Sequence, residues 1–158
     1  MSSAIFMAAE EAPESVYLHP GQIYAASHAV RVTTILGSCV SVALWDPLVR
    51  VGGMNHFLLP SGGTGDARYG PAAIEMLLEA MIARGAFVAR MVAKVFGGAC
   101  TIEGFAGTRH AIGVRNIEVA RTILAAHSIP IRAEQTGGRR GRKLLFHTGS
   151  GAAYVKEI

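Results

Sequence analysis

The sequence predicts an α/β chain of the α+β kind, a largely antiparallel or mixed sheet system with helices packed outside it. Two stacked sheets are one arrangement that fits. Three observations carry this: short apolar runs alternate with period two along much of the chain, two stretches instead place apolar residues at helical spacing, and glycine-rich turns punctuate both. Counting gives about eight strands and a pair of helices, most strands being joined by short turns.

Residues 1–15 read as a mobile lead and 16–158 as a single domain. Val16–Leu18 reads as a short strand closed by a Pro20-Gly21 turn, and Ile23–Ala26 as another extended piece. Val30, Val32, Thr34 and Leu36 then alternate with Arg31, Thr33 and Ile35, a strand that stops at Gly37. Thr33 shares the less apolar face of that strand. Val40–Trp45 is the next strand, Asp46-Pro47 a turn, and Val49–Leu59 an apolar segment leading into the flexible loop at 60–65, read as a lid.

Pro71 suits a first helical position, with Ile74, Leu77, Leu78 and Met81 on one stripe up to Gly85. Residues 86–96 read as a strand ending at Gly97-Gly98, and 99–111 as a connecting loop. Asn116 fits the N-cap of a second helix through about His127. Runs at 129–134, 143–147 and 152–155 read as closing strands.

Composition narrows the function classes. In 158 residues, 51% are hydrophobic and 16% charged, which argues for a packed enzyme-like domain and against disorder. Cys39 and Cys100 are the 2 cysteines, too few for a disulfide framework, and no Cys/His set has structural zinc spacing. With no secretory-type leader and no run long enough to span a bilayer, the expectation is a cytoplasmic protein with no membrane insertion. The net charge of +4 owes much to Arg139, Arg140, Arg142 and Lys143, either a solvated turn or a patch facing an acidic partner. It lacks the interleaved aromatics of a nucleic-acid reader, and no GxGxxG or P-loop pattern supports nucleotide binding.

Cys39 follows Gly37-Ser38 directly, and His56 lies on the next apolar segment. If the intervening runs form a hairpin around Asp46-Pro47, its far ends bring thiol and imidazole together as a nucleophile–base pair. The same residues also read as a small buried hydrophobe and a satisfied strand histidine. Spacing alone leaves both readings open.

Several segments together resemble the CheD family, the chemoreceptor glutamine deamidases of chemotaxis. They are Leu18-His19-Pro20-Gly21, Leu36-Gly37-Ser38-Cys39-Val40, Gly52-Gly53-Met54-Asn55-His56-Phe57, Leu59-Pro60, Arg68-Tyr69-Gly70, Lys94-Val95-Phe96-Gly97-Gly98-Ala99, Ile112-Gly113-Val114-Arg115-Asn116 and the run from Gly137 to Lys143. They fall in order over residues 16–158.

The resemblance implies a layered mixed β-sandwich flanked by helices, similar to bacterial toxins that deamidate glutamines. It implies a Cys-His-Thr triad, with Cys39 as nucleophile, His56 as base and Thr33 as the orienting hydroxyl; Thr34 is set aside because it should face the other side of the strand. Cys39 would attack a glutamine carboxamide, and water would hydrolyse the thioester to leave glutamate. Oxyanion donors would come from the Cys39 backbone N–H, approached through Gly37 and Ser38, with Asn55 a further candidate. No metal or organic cofactor is called for.

The implied substrates are methyl-accepting chemotaxis receptors, and many members bind a CheC-type phosphatase of CheY. The recognition surface would be the loops 61–70 and 99–111 and the basic cluster at 139–143. Two other functions share the pattern: a non-catalytic adaptor docking on receptor or phosphatase, and a cysteine amidohydrolase acting on another substrate class.

Overall fold

The computed structural model describes residues 14–100 and 111–158. Residues 1–13 of the expected lead and 101–110 of the expected loop lie outside the described residues. The described residues form β1 (Glu14–Tyr17), β2 (Ile23–Ala26), β3 (Val30–Leu36), β4 (Val40–Asp46), β5 (Val51–Asn55), α1 (Gly70–Ala83), β6 (Val92–Gly97), α2 (Ile112–Ala126), β7 (Ile131–Thr136), β8 (Arg142–His147) and β9 (Ala153–Glu157). The first strand therefore starts inside the stretch read as lead.

Two mixed sheets result, one in the order β1-β3-β8-β9 and the other β2-β5-β4-β6-β7. In the first, β1 runs parallel to β3 while the remaining pairs are antiparallel; in the second, only β6 and β7 are parallel. A parallel pair needs a crossover, and α2 lies in the connection between β6 and β7.

Alternation decides the layers. On β3, Val30, Val32 and Leu36 face the second sheet and pack with Ala43, Met54 and Phe96, while Ile35 is exposed. On β4, Val40, Val42 and Leu44 point the other way, into a core shared with Ile74, Leu77, Leu78 and Met81 of α1 and Ile117, Ala120 and Leu124 of α2. The order of layers is sheet, sheet, helices, with β4 and β5 buried on both faces. Each large side chain sealed in these cores contributes roughly 1.5–3 kcal/mol.

Helix α1 starts with Pro71 in its first turn and presents the expected stripe. Helix α2 departs from expectation: it begins at Ile112 after Ala111, with no side-chain cap, so Asn116 is interior to the helix and not its N-cap. Part of the segment read as a strand over 86–96 also differs, since Val88–Arg90 is a 3-10 turn. The cause is a distant carboxylate. Buried Asp46, at the end of β4, accepts hydrogen bonds from Phe87 N at 2.9 Å and Arg90 Nε at 3.1 Å, which curls that segment. Among the described residues, no helix is long and apolar enough to cross a membrane.

Candidate active site

Strands β4 and β5 form the antiparallel hairpin, and the pairing is prolonged by a bridge between Val40 and Phe57. In this register Ser41 stands opposite His56, and Cys39 is its diagonal neighbour on the same face. That face looks into the seam between the sheets, where Cys39 packs against the inter-sheet core. Diagonal neighbours of this kind lie roughly 7–8 Å apart in Cα position.

His56 is 2% exposed. Its backbone is held by the segment after β1: His56 N donates to Gln22 O at 3.2 Å, and His56 O accepts from Gly21 N at 2.8 Å. Its ring is held across the seam. Nδ1 lies 2.7 Å from the Thr34 hydroxyl, and that hydroxyl donates to Leu18 O, also at 2.7 Å. A hydroxyl has a single proton, and Leu18 O takes it. The Thr34 oxygen is therefore left to accept from Nδ1–H, which fixes the tautomer with an unprotonated Nε2. Nε2 is buried without a hydrogen-bond partner among the described residues.

The hydroxyl on His56 is thus that of Thr34, where the expectation placed that of Thr33. Thr33 is half-buried on the outer face of β3, and its carbonyl accepts from Leu18 N. The alternation of β3 reads correctly from sequence; the His56 ring meets the strand's apolar face, because it is buried between the sheets.

A wall of backbone from the end of β6 supports the segment that carries Cys39. Ala99 N donates to Gly37 O at 2.9 Å and Gly98 N to Cys39 O at 2.8 Å. Gly97 has φ +105°, and a Cβ there would collide with the Cys39 carbonyl oxygen. Gly97 thus lets the Cys39 backbone approach closely.

Asn55 is buried and accepts from Val42 N at 2.8 Å through Oδ1, a contact that pins β4 to β5. Its Nδ2 has no partner among the described residues. Ser38 and Gly37 flank the thiol, both partly exposed. The basic cluster divides. Arg139, Arg140 and Lys143 are exposed, but Arg142 is buried and donates to Gly97 O at 2.7 Å and Gly137 O at 2.6 Å. Arg142 therefore braces the wall behind Cys39 and does not belong to a solvated patch.

Sequence reasoning missed Asn116. Its Nδ2 donates to Ser38 O and to Leu58 O, each at 3.0 Å, linking α2 to both segments of the site. The available signal was a polar residue on the buried stripe of a helix.

Burial sets the protonation. It pushes the His56 pKa down to about 4, and nearby His19 pushes the same way. Burial also raises the Cys39 thiol, against a smaller opposing effect of its own backbone N–H. Both shifts favour a neutral thiol and a neutral imidazole. Among the described residues, no group of three or more His, Cys, Asp or Glu is arranged to hold a metal.

Residues 58–157 match the family described as CheD, chemotactic sensory transduction. A protein of Anaeromyxobacter dehalogenans (strain 2CP-C) named probable chemoreceptor glutamine deamidase CheD 1 is 48% identical over 145 residues, spanning 90% of this chain and 84% of that one. Proteins named probable chemoreceptor glutamine deamidase CheD from Stenotrophomonas maltophilia (strain K279a) and Xanthomonas campestris pv. campestris (strain B100) are each 45% identical over 144 residues, spanning 89% of this chain and 72% of theirs. Among solved structures, that of Neisseria meningitidis protein NMB0706 superposes with a TM-score of 0.45 at 11% identity, covering 85% of this chain and 66% of that one.

Proposed function

We propose that this chain, which belongs to the CheD family, deamidates glutamine side chains of chemotaxis receptors through Cys39, His56 and Thr34. The observation that carries the mechanism is the relay Leu18 O, Thr34 hydroxyl, His56 Nδ1. It leaves Nε2 as a free base on the face that Cys39 shares.

Cys39 Sγ attacks the carboxamide carbon as Nε2 takes the thiol proton. Charge gathers on the carboxamide oxygen, for which the Cys39 N–H is the candidate backbone donor. Collapse expels ammonia, which takes its proton from His56. Water then adds to the thioester with Nε2 again as base, giving glutamate and the free thiol. Thr34 accepts from Nδ1–H throughout, and its neutral oxygen orients the ring without the charge stabilisation a carboxylate supplies. Catalytic hydrogen bonds are often long in a resting site and tighten on substrate, which fits an Nε2 without a partner among the described residues.

A half-buried Cys39 suits a glutamine projecting from a protein surface. The reaction belongs in the cytoplasm, where receptors present such side chains. The family resemblance extends the proposal to a CheC-type phosphatase competing for the same face.

Co-expression with a receptor followed by peptide mass spectrometry tests the reading. Wild type converts specific receptor glutamines to glutamates, and Cys39→Ala, a small-for-small change in a partly buried site, leaves a folded protein with no conversion. Turnover by folded Cys39→Ala removes the nucleophile assignment; an inert wild type removes the function.

A further inference from the structure

We infer that Asn116 is a positioning residue for this reaction, whose side-chain amide orients the Ser38–Cys39 peptide and with it the Cys39 N–H that receives the oxyanion. The inference rests on the deamidase reading. A peptide unit is planar and trans, so its N–H points opposite to its C=O. Whatever holds Ser38 O therefore aims the N–H of Cys39. Asn116 Nδ2 holds it at 3.0 Å and uses its second proton on Leu58 O, also at 3.0 Å. Leu58 stands opposite Cys39 in the register set by the Val40–Phe57 bridge. One amide thus ties the nucleophile segment to the segment leaving His56, just beyond the last ladder bonds of the hairpin.

Three further observations support this. Among the described residues no backbone carbonyl accepts from the Cys39 N–H, and its recorded interaction is with the Cys39 thiol itself. Consecutive carbonyls at Gly37, Ser38 and Cys39 are held by Ala99 N, Asn116 and Gly98 N, which leaves that backbone little freedom to turn. Helix α2 is seated so that Asn116 reaches: Gly113, one turn earlier, lies so close to Gly98 O and Ala99 O that a Cβ would collide with both. Asn116 is itself fully buried, and its Oδ1 has no partner among the described residues. Half-satisfied interior amides are rare in folded proteins and call for a reason beyond packing.

The test separates carbonyl chemistry from thiol chemistry. Iodoacetamide alkylates a thiol by displacement at a methylene carbon, so its rate reports Cys39 and His56 without drawing on an oxyanion donor. Asn116→Leu keeps the approximate volume and loses both donors. In the full chain its kcat for receptor deamidation is expected to fall on the order of ten- to a hundredfold. The alkylation rate at Cys39, followed across pH by peptide mass spectrometry, should stay within about twofold of wild type. Asn116→Ser, smaller and with a donor retained, takes the same measurements if Asn116→Leu does not fold, and should show the same split at smaller size. An unchanged kcat overturns the inference. So does a parallel fall of alkylation and deamidation, which places Asn116 in general scaffolding. Should wild type itself fail to deamidate, the functional reading falls; should wild type turn over while the variants show no split, only this inference falls.

Discussion

Thr34 and its neighbour Thr33 show how much one residue of strand register decides. Thr34→Val keeps the β-branched shape but removes the hydroxyl, leaving Leu18 O without its donor and His56 Nδ1–H without its acceptor. Losing the ring's orientation should lower the deamidation rate by up to about a hundredfold, and the stranded groups should cost about 1–3 kcal/mol of stability. Thr34→Ser restores the hydroxyl and should recover most of the rate. Thr33→Val, on the outer face, should stay near wild type in both rate and urea midpoint. A slow Thr33→Val beside a normal Thr34→Val returns the role to Thr33. The alternation of β3 was readable from Val30, Val32 and Leu36 alone. What periodicity does not encode is that a polar pair sits in the seam between two apolar faces. A hydroxyl on an apolar stripe was the sole trace of it, and it reads as a strand filler until its partner is located 22 positions away.

At the scale of elements, the Cys39 segment, proposed to carry the nucleophile, depends on where β6 ends. Gly97→Ala forces a side chain into φ +105° and against the Cys39 carbonyl oxygen, so backbone must move on both sides. The expected result is a loss of about 2 kcal/mol or more in stability, together with a fall in deamidation measured well below the melting temperature. A variant of wild-type stability and rate would mean that the wall behind Cys39 yields without consequence. Most strands and helix α1 were legible because each carries its own period and its own turn residues. The start of α2 was not, because it lacks a side-chain cap, and Asn116 offers the right chemistry for a cap while being used elsewhere. Nor was the 3-10 turn at Val88–Arg90, which depends on Asp46 some 41 residues earlier in the chain. Arg142 is the same lesson in the other direction: it reads as one more member of a basic run, yet it is buried against Gly97 and Gly137. Local propensity reaches only as far as neighbours in sequence.

For the whole molecule, placing His56, the proposed base, between two sheets ties stability and the proposed activity to one proton. The His56 pKa is held down to about 4, against 6.5 for the ordinary side chain, so the unfolded chain binds that proton first as pH falls. Between 6.5 and 4 the unfolded state carries more protons than the folded one, and stability rises with pH there. Acidifying through that window should remove up to about 3 kcal/mol, with no further loss from this group below the folded value, where both states are protonated. Urea titrations of wild type and His56→Leu isolate the effect, since the remaining carboxylates and histidines are common to both. The wild-type curve should drop more steeply than the variant's from neutrality to pH 4, and parallel curves would show that burial does not hold the imidazole neutral. Activity should follow the folded value alone. The acid limb of kcat/KM reports the free enzyme's base, so it belongs near pH 4 and well below the ordinary histidine range. Between the two limits the enzyme should lose stability while each folded molecule keeps its full rate. An acid limb near 6.5 would instead mean that the titrating base is a solvent-exposed histidine, and that His56 is not the group that takes the thiol proton.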